Sequence, residues 1–152
     1  MQDVQITPDE RGVFDLSLDG QGIASVDGLQ TTLEVTLFTD SRAPESLVPD
    51  AKNRRGWVGD ILTALEERFT GSNLWLLDQA RLTARTISQA EIYANDAFLY
   101  LVEDSIASEY KISIDRSNRA IDINIEYIIS DNIIERYNIL WRRTSVTGLS
   151  NI

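Results

Sequence analysis

The chain has 152 residues, 43% of them hydrophobic and 25% charged, with a net charge of −10 and neither cysteine nor histidine. That length suits a single domain spanning 1–152 with a core that needs no cross-link. The missing residue types exclude disulfides, imidazole or thiolate metal ligands, cysteine nucleophiles and Ser–His–Asp hydrolases.

The first elements are β. FDLSLD (14–19) alternates apolar and polar residues, and Gly20 and Gly22 lead into GIASVDG. This predicts an N-terminal hairpin with Phe14, Leu16 and Leu18 on one face. DLSLDG lacks the oxygen-ligand spacing of a calcium loop, so it reads as a turn. GLQTTLEVTLFTD (28–40) places Leu29, Leu33 and Leu37 four residues apart, which favours a helix although Thr and Val favour a strand.

Residues 40–57 carry two prolines and several turn formers and form a long loop. Loops of that length in compact domains are usually functional or disordered, and Leu47, Val48 and Trp57 speak against disorder. Within it stands NRRGWVGD (53–60). Its tryptophan either plugs the core or meets a partner. Its arginines either pair with Asp60 inside the loop or offer bidentate donors to carboxylates outside it. The expectation is a built loop in which Trp57 turns inward and the charges face a partner.

Ile61, Leu62, Leu65 and Phe69 suit one side of a further helical segment, broken at residues 70–73, before a short apolar run with Trp75. The clearest helix follows, from about Thr83 to Ala107, with Ala90, Ala94 and Ala97 allowing a close neighbour. Thr83 with Thr86, or Ser88 with Glu91, supplies its start. YKISID, AIDINIEYII and IIERYNILW then read as a C-terminal antiparallel meander, with a turn at Asn118 and a frayed tail from about 145. The fold class is α+β, built round one long central helix. An unpaired isoleucine-rich edge, with Ile134, Tyr137, Ile139 and Trp141, would be a template for another chain's strand.

Charge narrows the partners. Residues 1–50 hold ten Asp and Glu against two Arg. Such a surface is repelled by nucleic acid and by anionic membranes, so neither is an expected partner. No apolar run approaches the span of a bilayer, and the opening MQDVQITPDERG has no signal-peptide pattern. No metal, no cofactor and no enzymatic activity are expected. A lysozyme-like hydrolase using two carboxylates is the one enzyme reading left, and with 24 acidic residues such pairs carry little signal.

Four ordered blocks carry a resemblance: LQTTLEVTLFTDSRAP, LVPDAKNRRGWVGD, GSNLWLLDQARLT and AEIYANDAFLYLVEDSIA. Together, over about residues 12–107, they resemble the Mu-like phage tail protein family of baseplate wedge components. The family commonly has a second tryptophan where this chain has Val58. The resemblance implies a small α+β wedge component, similar to the sheath-initiating wedge protein of T-even phages. Such a protein sits at the base of the tail tube and helps to start sheath assembly. Wedge subunits, tube and sheath proteins would be its partners, first in host cytoplasm and then in the virion baseplate or an injection-system particle. Arg42, Arg54, Arg55 and Asp60 would fix register, and Trp57 and Trp75 would be either anchors or plugs. An assembly chaperone absent from the mature particle, or an adaptor of a tailocin, would share the same sequence features.

Overall fold

Six short strands open the chain, and each extended stretch changes partner half-way. β1 (Gln2–Val4) and β2 (Ile6–Pro8) are interrupted at Gln5, β3 (Phe14–Leu16) and β4 (Leu18–Asp19) at Ser17, and β5 (Gly22–Ile23) and β6 (Ser25–Asp27) at Ala24. β1 pairs with β6, β2 with β3 and β4 with β5, all antiparallel. At the three interruptions the backbone closes a ring of hydrogen bonds. Gln5 N–H donates to the Ala24 carbonyl, Ala24 N–H to Ser17 and Ser17 N–H to Gln5, each at 2.9 Å. The interrupted residues therefore leave no backbone group of this ring unpaired. Three ribbons radiate from that triangle. The computed structural model describes residues 2–8, 13–62, 68–117, 120–129 and 133–142.

The expected hairpin is present as β4–β5, but its apolar residues do not share a buried face. Phe14 packs on Phe38 with ring centroids 5.1 Å apart, while Leu16 and Leu18 are exposed. The break at Ser17 resets the two-residue alternation on which a common face depends.

α1 (Gln30–Phe38) is the helix expected from the leucine spacing. Its β-branched residues weaken its intrinsic propensity, and tertiary contacts compensate. Leu29, Leu33 and Leu37 are buried. Its N-cap residue gives no side-chain bond. Asp3, from β1, instead accepts from the Thr32 backbone N–H and hydroxyl, both at 2.9 Å. A carboxylate at this end also meets the positive pole of the helix.

α2 is described over Gly59–Leu62, and a 3-10 turn lies at Leu74–Leu77. α3 (Ala84–Phe98) starts at Thr83, whose side chain accepts from Thr86 N–H. It stops nine residues short of the expected Ala107. α4 (Tyr100–Glu103) continues for one turn. Ser105 then adopts a left-handed φ of 57°, and the Ile106 and Ala107 N–H groups both turn back onto the Leu101 carbonyl. That closure redirects the chain into the sheet.

β7 (Glu109–Ser117), β8 (Ala120–Ile129) and β9 (Ile133–Arg142) form the expected antiparallel meander in the order β7-β8-β9. Ile121, Ile123, Ile125 and Tyr127 of β8 face inward with Ile112, Ile139 and Trp141. Ala90, Ala94, Phe98 and Leu101 cover them, and the α1 leucines with Leu74 and Leu77 complete the core. Fully burying each leucine contributes about 1.5–3 kcal/mol. The architecture is α+β. The Asn118 turn, Leu65 and the tail from 145 lie outside the described residues.

A tyrosine latch joins the two halves. Tyr127 and Tyr137 stack with centroids 5.8 Å apart, and both hydroxyls donate to one Glu135 carboxylate oxygen, at 2.5 and 2.9 Å. The Leu29 backbone, at the start of α1, faces the Tyr137 hydroxyl and favours its ionised form. Gly28 is required there. Its φ is 96°, and any Cβ would collide with the Tyr137 hydroxyl. Burial first, and then the bond to Glu135, push the Tyr127 hydroxyl far above its ordinary value of 10.0.

Candidate partner interface

The motif blocks between residues 39 and 78 converge on one knot. Asp40 and Ser72 form a parallel bridge, with Ser72 N–H on the Thr39 carbonyl and Ser41 N–H on the Ser72 carbonyl, both at 2.9 Å. The Ser72 hydroxyl donates to Leu37 at 2.7 Å, satisfying a carbonyl in the last turn of α1. Gly71 makes this approach possible, because the Thr39 carbonyl occupies the place of its missing Cβ and its φ is 101°.

Trp75 and Arg55 seal the knot. The indole N–H donates to the Ser41 carbonyl at 2.9 Å. Arg55 lies over the indole ring, 4.4 Å from its centroid, and pairs with Asp40 at 2.7 Å and Asp78 at 3.8 Å. It does so from a left-handed φ of 51°, which costs a non-glycine residue about 1–2 kcal/mol. Its three engagements offset that cost. Arg54 is spent on the loop itself, donating to the Val48 carbonyl at 2.8 Å and to Pro49 at 3.1 Å, with Glu45 at 3.4 Å. Arg42 donates to the Arg55 carbonyl at 3.2 Å.

The loop is built, as expected, but Trp57 does not turn inward. The arginines are paired within the chain, with the Arg55 side chain still 47% exposed, and Trp57 stands half-exposed at 50%. Neither Arg54 nor Arg55 pairs with Asp60. Asp60 instead accepts from the Thr70 N–H, at 3.1 Å, and from the Thr70 hydroxyl, at 2.7 Å. Arg54 satisfies the bare carbonyls of Val48 and Pro49, and Arg55 meets other carboxylates, those of Asp40 and Asp78.

The exposure of Trp57 belongs to a surface that the sequence pattern hid. Trp57 lies over Gly59, where any Cβ would strike its ring. Val58, Ile61 and Leu62 beside it are 71%, 74% and 87% exposed. The Asp60–Thr70 bonds bring in the half-exposed Phe69. The spacing of Ile61, Leu62 and Phe69 reads as the core face of a helix. They nonetheless face outward, which periodicity does not reveal.

The C-terminal candidates divide. Ile139 and Trp141 are buried in the chain's own core, and Tyr137 belongs to the latch. Ile134 is exposed. β9 pairs with β8 and lies at the edge of its sheet. Its backbone, Ile134 and the exposed Leu140 are thus what this strand offers, with Asn138 and Arg136 bonded to Asn124 and Glu126 on the outer face. No helix among the described residues is long and apolar enough to cross a membrane.

A pinned loop that lifts an apolar corner, together with a sheet edge elsewhere in the chain, suits a protein that works by fitting against others. The comparisons agree with that class. The family described as phage protein GP46 matches residues 29–133, and the chain belongs to it. Baseplate protein gp46 of Escherichia phage Mu is 39% identical over 92 residues, which is 59% of this chain and 61% of the Mu protein. The Mu-like prophage FluMu protein gp46 of Haemophilus influenzae is 31% identical over 113 residues, 74% of this chain and 75% of that protein.

Proposed function

We propose that this chain is a structural, non-enzymatic component of a contractile-tail baseplate. It links wedge and tube and gives the sheath its starting surface. The observation that carries the reading is the convergence of the family's blocks on one knot, with the Trp57 corner held outward by residues 39–43, 54–60 and 70–78. A preordered apolar corner loses little entropy on docking, and tryptophan is enriched among the residues that dominate interface energies. In this account a wedge subunit covers the corner, and the β9 edge receives or donates a strand against tube or sheath. The chain folds in host cytoplasm and ends in the virion baseplate, or in that of a related injection particle.

Crosslinking mass spectrometry of purified contractile particles tests this. The expected result is that the chain is present, with crosslinks from Lys52 to a wedge subunit and from β9 to tube or sheath. Its absence from intact particles would move it to the role of an assembly factor that leaves before completion.

A further inference from the structure

The geometry points to a second docking surface, on the N-terminal three-ribbon unit, for a partner protein that presents an apolar cleft with a basic rim. Leu18 and Ile23 sit directly opposite one another across the β4–β5 hairpin, so their side chains are adjacent. They are 76% and 58% exposed, and Leu16 and Val4 are also exposed. Among the described residues of this unit, Ala24, at the hydrogen-bonded triangle, is the one buried apolar side chain. Two-stranded ribbons that spend their apolar residues on solvent are marginal in water, so these side chains do not serve the chain's own stability. The ring of Gln5, Ser17 and Ala24 fixes the ribbon directions, while Phe14 on Phe38 and Asp3 on α1 anchor the unit to the body.

Charge selects the occupant. Residues 1–28 contain six Asp and Glu against the single Arg11. Asp15 and Asp19, on the ribbons that carry Leu16, Leu18 and Ile23, are exposed. Asp15 accepts from the Leu16 N–H and Asp19 from the Gln21 N–H, so both carboxylates stand at the rim without a cation among the described residues. A second copy of this chain would set like charges together, and nucleic acid or anionic lipid would be repelled. A basic protein surface is what complements it. The unit also lies wholly outside the family match, which begins at residue 29. The inference does not rest on the baseplate reading, since such a partner would be met in the cell whether or not the chain stays in a particle.

The test places p-benzoylphenylalanine at position 18 of the full chain, with position 92 on the outer side of α3 as the control. Crosslinks are raised in cells making the chain from its natural locus and mapped by mass spectrometry. Position 18 is expected to capture a different protein, within a segment where Lys and Arg outnumber Asp and Glu. With that protein purified, the Asp15→Asn/Asp19→Asn chain, checked for an unchanged melting temperature, should bind about tenfold more weakly at low salt. The gap should close at high salt. Capture of a second copy of the chain, of nucleic acid or of an acidic segment would overturn the proposal. So would no crosslink at position 18, or a binding defect indifferent to salt.

Discussion

Between residues 39 and 78, Arg42, Arg54 and Arg55 each end on a carbonyl or carboxylate of their own chain. The N-terminal unit does the opposite and leaves Leu18 and Ile23 in water beside Asp15 and Asp19. In the first region polar side chains build the scaffold, and an apolar corner is what emerges from it. In the second, backbone hydrogen bonds build the scaffold and side chains of both kinds are free to face outward. The lesson is that a charged motif in a loop is not by itself a contact surface. Where loop carbonyls need donors, the charges are consumed at home.

The sharpest way to break that contrast is at the knot's tightest point. Gly71→Ala puts a Cβ onto the Thr39 carbonyl at a left-handed φ, and it should destabilise the fold by about 3 kcal/mol. Urea denaturation checks this, and Gly20→Ala is the control, because nothing lies within 4 Å of a Cβ there.

Tyr137→Phe comes next. It removes the hydroxyl that faces the Leu29 backbone and donates to the Glu135 carboxylate, for a loss of about 2 kcal/mol by the same measurement.

A smaller effect appears only in alkali. The Tyr127 hydroxyl is held above 10.0 in the folded chain, chiefly by burial. Between about pH 10 and the raised value, the unfolded chain loses this proton and the folded chain keeps it. Tyr127 therefore contributes its full stability below pH 10, and stability falls by about 1.4 kcal/mol per pH unit above that. Tyr127→Phe, though less stable near neutral pH, should show a shallower alkaline decline when denaturation midpoints are followed from pH 8 to 11.

Much of the body was legible from spacing. Leucines at 29, 33 and 37 gave α1, the alanine and aromatic steps gave α3, and alternating isoleucines gave β7 to β9. Each depends on local periodicity alone. What periodicity does not encode is tertiary. Asp3 caps a helix that begins 27 residues later, and three strands exchange partners at a ring that no single segment specifies. The candidate residues Arg42, Arg54, Arg55, Asp60 and Trp75 do gather in one place. Their direction was not legible, because it depends on the Asp40–Ser72 bridge and on which carbonyls the loop leaves bare. Ile139 and Trp141 show the same limit, since β alternation says that two faces differ and not which one is covered.

The most direct measurement compares Trp57→Ala with the parent chain twice, once for stability and once for incorporation into particles. With half of its surface already in water, Trp57 should contribute less than about 1 kcal/mol to folding. As an interface anchor it should contribute about 2 kcal/mol or more to docking. The account predicts a nearly unchanged melting temperature with incorporation lowered by tenfold or more. Normal incorporation, or a loss of incorporation no greater than the loss of folded protein, would contradict it.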